Sequence, residues 1–147
     1  MNNFLNKAIE IASSYDVSTP VNGLVLYSVS FLPSKENREK AFQFVKEHKA
    51  TMTIENTACG SKLLEIGLNE KNNGLTEDEI SLVWEIASKR MIEKASGEIT
   101  AFVDGADARS IFCKVELINI LKNPLITAIN NEEKHTFASK YFKPVFE

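Results

Sequence analysis

The sequence is poor in cysteine, has no excess of basic charge and contains no long apolar run. Its two cysteines, Cys59 and Cys113, show neither a C-x-x-C nor a Cys/His spacing, so we predict no metal site and no disulfide framework. With 17 basic against 20 acidic residues the net charge is −3, which argues against nucleic acid as a partner. No segment reaches the roughly 18 apolar residues of a membrane span and no export signal is visible, so we expect a soluble chain.

The order of local patterns predicts helices followed by a small sheet. With 147 residues, 44% of them hydrophobic, the chain has the size of one domain, which we expect over 1–147. Helical spacing runs to Tyr15, through "ENREKAFQFVKEHK", after Cys59, and from the capping box of Thr76 and Glu79 to Gly97. "LVLYSVSF" indicates a strand or turn. Three β-rich runs follow, "EITAFV", "SIFCKVEL" and "LITAIN", with a brief helix at "INILKNP". The predicted fold class is α/β (α+β).

The C-terminal segment and the histidines give weaker indications. The tail "EEKHTFASKYFKPVFE" is aromatic, so we expect it to pack on the domain or on a partner. His48 and His135 fall in charged segments without a Ser, Cys or Asp at a telling spacing. We therefore expect both histidines at the surface.

Glu116 stands in what we interpret as a strand. Ile111, Cys113 and Val115 alternate as in a sheet, and Glu116 then precedes Leu117, where an apolar residue is expected. A carboxylate held there either faces water or is kept for a functional role. The simpler alternative is an exposed glutamate at the end of a strand.

Trp84 and Ser88 lie one helical turn apart in the segment that follows the capping box. Their spacing of four places both side chains on one helix face, where an aromatic ring and a hydroxyl can hold a flat polar ligand. The alternative is that Trp84 is a core residue and Ser88 faces solvent.

Glu55 lies in "TIENT", directly before a predicted helix. A loop that enters a helix often carries a functional carboxylate. The alternative is structural: Asn56 or Thr57 caps the helix, and Glu55 complements the helix dipole.

Three segments, taken in order, resemble the ADP-ribosyl cyclase family, which includes animal NAD glycohydrolases and bacterial toxin domains. They are "TIENTACG", "VWEIASKRMIEKASGEITAFV" and "SIFCKVEL". The family shows a T-L-E-x-T-x-x-G segment, then a W-x-x-x-S helix that runs into a strand, then S-x-F-x-x-x-E. The resemblance covers roughly residues 24 to 130. It implies an ADP-ribosyl cyclase-like fold with a helical N-terminal part and a small, mainly parallel sheet.

The resemblance implies two catalytic carboxylates. Glu116 falls on the catalytic glutamate that engages the ribose of NAD while the bond to nicotinamide breaks. Glu55 falls on the acidic residue that orients the nicotinamide end and influences cyclisation against hydrolysis. NAD is then the substrate, and no metal or cofactor is expected.

The resemblance also implies a set of substrate-binding residues. Trp84 falls on a tryptophan that packs against the substrate, and Ser88 on a serine that contacts phosphate. Ser110 and Phe112 fall on the loop that holds the diphosphate. Tyr27, in "LYS", stands where the family has a second tryptophan, and would keep an aromatic wall.

Departures from the animal enzymes point to the bacterial branch of this family. Asn56 follows Glu55 where the animal enzymes have a second acid, and the animal disulfides are absent. Many members of the bacterial branch are contact-dependent or other toxin domains, each blocked by an immunity protein. The resemblance thus implies a delivered toxin domain that depletes NAD in the cytoplasm of a target bacterium.

The implied reaction resembles glycoside cleavage through a ribosyl cation, with nicotinamide as leaving group. Capture by water gives ADP-ribose, which we favour because loss of NAD is sufficient for a toxin, whereas an adenine nitrogen gives a cyclic product. Two alternatives remain: a module that binds NAD, ADP-ribose or a protein without turnover, and a purely structural or interaction domain.

Overall fold

Helices and short strands alternate along the chain. The computed structural model describes residues 3–27, 36–70, 72–103 and 112–139. The helices are α1 (Asn3–Ser14), α2 (Glu36–Glu47), α3 (Ala58–Glu65), α4 (Glu77–Lys94), α5 (Leu117–Lys122) and α6 (Lys134–Ala138). The strands are β1 (Val25–Tyr27), β2 (Gly97–Phe102), β3 (Ile126–Ile129) and β4 (Glu132–Glu133). A 3₁₀ turn spans Ile54–Asn56 and a π-helical turn spans Phe112–Glu116.

The described strands form a four-stranded, mostly parallel sheet in the order β1-β2-β3-β4. β2 pairs in parallel with both β1 and β3, and β4 pairs antiparallel with β3. The last residues of β1 and β2, Tyr27 and Phe102, are direct partners, so both strands end at the same edge of the sheet. The predicted α+β class with a small, mainly parallel sheet is confirmed, although β1 precedes most of the helices.

Helix α4 is the longest of the described helices and starts where its sequence predicts. The Thr76 hydroxyl accepts from Glu79 N at 3.1 Å, and the Glu79 carboxylate accepts from Thr76 N at 2.8 Å. The buried face of α4 consists of Val83, Ala87, Ser88, Met91 and Ile92. The helix ends at Lys94, and Gly97 opens β2 with a φ of +83°. None of the described helices is long and apolar enough to cross a membrane.

Residues 112–116, the described part of the segment that we interpreted as a strand ending at Glu116, are helical, so the strand prediction is wrong there. The π-helical turn over 112–116 leads directly into α5. The buried side chains here are Cys113, Glu116, Leu117 and Ile120. Their spacing is i, i+3, i+4 and i+7, which is the period of a helix and not of a strand. Packing of this stripe overrides the β propensity of the segment, and Glu116 lies within the stripe.

The first part of the aromatic tail packs on the domain as expected. Phe137 and Ala138 of α6 are buried in the core. Residues 140–147 lie outside the described residues, and the expectation for them stays a prediction.

Candidate active site

Four side chains from separate segments lie close together, one of them at the end of β1. Tyr27 ends β1, Glu55 lies in the 3₁₀ turn, Ser88 on α4 and Glu116 at the end of the π-helical turn. The Tyr27 hydroxyl donates a hydrogen bond to Glu55, and the Ser88 hydroxyl donates one to Glu116. The charge of Glu55 acts on both Tyr27 and Glu116. We call these four residues the carboxylate cluster.

The turn that carries Glu55 is shaped by its polar neighbours. Asn56 Oδ1 accepts from Thr53 N at 2.9 Å and from Thr53 Oγ1 at 3.0 Å. Thr57 then caps α3 by accepting from Gly60 N at 3.0 Å. Of the two residues that the structural alternative offered as a cap, Asn56 and Thr57, Thr57 forms it. Glu55 does not complete the cap, since its described hydrogen bond goes to Tyr27.

Gly60 lets α3 lie directly against the 3₁₀ turn. A Cβ atom at this position would stand 1.9 Å from the Ile54 carbonyl oxygen and 3.1 Å from Glu55 Cα. A separation of 1.9 Å is far below van der Waals contact, so no side chain fits. The glycine that ends the "TIENTACG" segment is therefore required by the close approach that places Glu55.

Glu116 is a buried carboxylate with a perturbed pKa. Its side chain is only 6% exposed. The pKa of Glu116 is raised to about 7: burial is the main cause, the hydrogen bond from Ser88 opposes the rise, and the negative charge of Glu55 adds to it. With a pKa of about 7, both the protonated and the ionised form of Glu116 are populated at neutral pH, as is typical of catalytic carboxylates.

Ser88 faces the interior, against the alternative that it faces solvent. It is 3% exposed, and its described partner is Glu116. In the protein alone, Ser88 therefore contacts Glu116, whereas the resemblance implies a contact between this serine and a phosphate of the substrate. Trp84, one turn earlier, is half-buried against the core, and its indole N–H donates to Asn69 Oδ1 at 2.9 Å.

The Tyr27 ring lies between the sheet and α2. It meets Phe42 edge-on, with ring centroids 5.7 Å apart, and the guanidinium of Arg38 lies 5.0 Å above the Phe42 ring. Burial raises the pKa of the Tyr27 phenol, and the charge of Glu55 adds to the rise. The phenol therefore stays protonated and acts as a hydrogen-bond donor.

The remaining predicted site residues divide into two groups. Ser110 and the side chain of Phe112 lie outside the described residues, so their roles stay predictions. His48 and His135 are exposed, as expected: His48 stacks on Phe44, and His135 contacts Glu133 at 2.7 Å. The described residues hold no group of three or more metal-ligating side chains.

A shallow groove of about 430 Å³ is present beside α2. It runs between α2 and the end of β2, and is lined by Glu39, Lys40, Gln43, Phe44, Glu47 and Phe102. None of the four cluster residues lines it. The candidate active site is therefore the carboxylate cluster and not this groove.

Sequence reasoning missed two contacts, namely the hydroxyl of Tyr27 on Glu55 and the hydroxyl of Ser88 on Glu116. The second had a signal in the sequence, because the i, i+3, i+4 spacing of Cys113, Glu116 and Leu117 indicates an inward-facing helix. The first joins residues 28 positions apart and had none.

The fold is that of the ADP-ribosyl cyclases. No family model matches the sequence, and no curated protein does. Among solved structures, an ADP-ribosyl cyclase mutant superimposes with a TM-score of 0.57 at 17% identity, covering 86% of this chain and 62% of the cyclase.

Two further structures show the same similarity. The Aplysia cyclase, complexed with substrate NGD and product cGDPR, gives a TM-score of 0.55 at 18% identity over 86% of this chain and 61% of its own. Porcine CD38, complexed with a covalent intermediate, gives a TM-score of 0.55 at 21% identity. The match covers 89% of this chain and 72% of porcine CD38. The chain thus spans about three fifths of the length of the cyclases it matches. At these identities the similarity establishes the fold.

Proposed function

We propose that the chain is an NAD glycohydrolase, which cleaves the bond between nicotinamide and ribose to give nicotinamide and ADP-ribose. The observation that carries this proposal is the buried Glu116 carboxylate, with a pKa of about 7, held beside Glu55 in a cyclase-like fold. The neighbours support the substrate class, since the Aplysia cyclase was solved with substrate NGD and product cGDPR. Fold alone does not fix function, so the proposal rests on the four residues of the carboxylate cluster.

The chemistry requires one anion beside the ribose. The pyridinium nitrogen takes the electron pair of the bond to C1′, so nicotinamide leaves as a neutral molecule without a proton donor. A positive charge develops on the ribose, and the ionised Glu116 stabilises it or adds to C1′. Water then forms the new C–O bond at C1′ and releases a proton. Porcine CD38 was solved with a covalent intermediate, ribo-F-ribose-5′-phosphate, which is compatible with the addition route.

The other predicted residues take supporting roles in this proposal. Glu55 accepts a hydrogen bond from the nicotinamide carboxamide, and the Trp84 ring packs on the substrate. Ser88 holds Glu116 in place through the bond described above, and reaches phosphate only if that bond is exchanged. We propose hydrolysis as the main outcome and cyclic ADP-ribose as a minor product.

Chromatography of NAD incubated with purified protein tests the proposal. We expect wild type to release nicotinamide and Glu116→Gln to lose activity by at least two to three orders of magnitude, as a rough expectation for a lost electrostatic stabiliser. Glu93→Gln makes the same change at an exposed position of α4 and should leave the rate unchanged. Equal rates in wild type and Glu116→Gln would remove Glu116 from the mechanism.

A binding module is the second candidate. The Tyr27 hydroxyl occupies one oxygen of Glu55 in the protein alone, a contact that a non-catalytic site also accommodates. Such a module would gain thermal stability with NAD or ADP-ribose and release no nicotinamide. A pure interaction domain would do neither.

We also propose that the activity serves as a bacterial toxin, acting in the cytoplasm of a target cell and blocked by an immunity protein. Depletion of NAD is sufficient to stop growth, which makes the proposal testable without knowledge of delivery. Induced expression in a bacterial host should arrest growth and lower cellular NAD, and Glu116→Gln should do neither. Growth arrest that persists in Glu116→Gln at equal expression would contradict a toxin role for NAD cleavage.

A further inference from the structure

The Tyr27 hydroxyl makes a contact that an aromatic wall does not need. The ring is already placed by its edge-on packing on Phe42. The hydroxyl donates to Glu55 Oε2, which lies on a different element. Tryptophan and phenylalanine have no hydroxyl and could not make this bond. The tyrosine thus ties the end of β1 to the 3₁₀ turn through one carboxylate oxygen.

The other oxygen of Glu55, Oε1, is buried. Oε1 has no hydrogen-bond partner among the described residues. A buried acceptor without a donor costs free energy, and such groups commonly await a ligand or an ordered water. Because an ionised carboxylate only accepts hydrogen bonds, the ligand group that completes this site has to be a donor.

We infer that Tyr27 is a positioning residue: by holding Glu55 Oε2 it fixes Oε1 as a single free acceptor, and so selects a pyridinium ring that carries an amide over one that carries a carboxylate. This inference rests on the proposed function and specifies its substrate class. An amide N–H₂ donates to Oε1. A carboxylate at the same place on the ring offers no donor to Oε1 and brings a second negative charge beside Glu55, which is unfavourable in a buried site.

Tyr27→Phe isolates the hydroxyl from the ring. The variant keeps the packing on Phe42 and frees Glu55 to rotate, so Oε1 loses its fixed direction. We expect the preference for NAD over its nicotinic acid counterpart to fall about fivefold, the order of magnitude of one hydrogen bond. Tyr15→Phe makes the same change at an exposed tyrosine and should not alter the preference.

Calorimetric titration of both dinucleotides provides the measurement. All variants are made in the Glu116→Gln background, so that the substrate is not consumed, and their thermal unfolding is compared first. Glu55→Gln is the positive control, because its amide can donate to the acid, and it should lower the preference further than Tyr27→Phe does.

The outcomes separate the inference from the proposed function. If Glu55→Gln lowers the preference while Tyr27→Phe retains the full preference, the positioning role of Tyr27 is wrong and the role of Glu55 stands. If the Glu116→Gln protein binds NAD as predicted but the wild-type protein releases no nicotinamide, the proposed function is wrong. The effect of Tyr27→Phe on the preference for NAD then still decides whether Tyr27 positions Glu55. If neither dinucleotide binds at millimolar concentration, both the inference and the proposed function are wrong.

Discussion

Glu116 is a side chain whose charge changes near neutral pH. Burial and the charge of Glu55 raise its pKa to about 7, and the proposed mechanism needs the ionised form. We therefore expect kcat/KM for nicotinamide release to rise with pH, to reach half of its maximum near pH 7 and to level off above it. Rates measured from about pH 5 to about pH 9 at constant ionic strength test this. A profile that falls over this range would contradict the assignment of Glu116 as the ionised group.

Ser88 adjusts the same titration. Its hydrogen bond lowers the pKa of Glu116 against the two effects that raise it. Ser88→Ala removes that bond, so we expect the half-maximal rate to move to a higher pH than in wild type. Ser81→Ala, on the same helix and without a described contact to Glu116, is the matched control. A shift of equal size in both variants would indicate a general effect on α4 and not the hydrogen bond.

At the scale of elements, the contact between α3 and the 3₁₀ turn decides where Glu55 lies. Helix propensity alone predicts that Gly60→Ala stabilises α3 by about 1 kcal/mol. The 1.9 Å approach to the Ile54 carbonyl oxygen opposes this, and forced overpacking costs about 1–3 kcal/mol. We expect a net loss of stability, measured by urea unfolding, and a fall in activity because the turn moves.

Ser61→Ala is the control for this change. Residue 61 lies on the exposed side of the same helix, so alanine should leave stability unchanged or raise it slightly. A Gly60→Ala protein as stable as wild type would mean that α3 can shift without cost.

Elements with local signals were predictable from the sequence, and those set by distant contacts were not. Helix α4 carries its own capping box and apolar stripe within one segment, so its start was predicted correctly. The π-helical turn has β-rich local character and adopts its form only because Cys113, Glu116 and Leu117 pack inward. Motifs singled out the residues of the candidate site, whereas the bond between Tyr27 and Glu55 depends on the pairing of whole elements.

At the scale of the whole molecule, Glu116 lowers stability as the pH rises. Its pKa in the folded state, about 7, lies above the ordinary value of 4.5, so the folded protein retains a proton that the unfolded chain releases. The contribution of Glu116 to the free energy of unfolding therefore falls by about 3 kcal/mol as the pH rises from about 4.5 through about 7. Above that pH this contribution is constant.

Glu116→Gln should remove this dependence. The variant does not titrate at position 116, so its stability relative to wild type should increase between about pH 5 and about pH 8. Other titrations cancel in the comparison, including that of Glu133, whose pKa is lowered to about 2 by hydrogen bonds from His135. Urea unfolding at each pH measures the difference in stability between Glu116→Gln and wild type. A difference that does not change with pH would show that the pKa of Glu116 is not raised by folding.

The parallel pairing of β1 with β2 also bears on how the protein folds. Val25 and Thr100 are neighbours in the sheet, and the whole of α2, α3 and α4 lies between them in sequence. Closing so long a loop is entropically costly, so this pairing is slow to form compared with the capped helices. After dilution from denaturant, the helical circular dichroism signal should return first. Catalytic activity should return only in the slowest conformational phase, when the end of β1 meets the turn that carries Glu55.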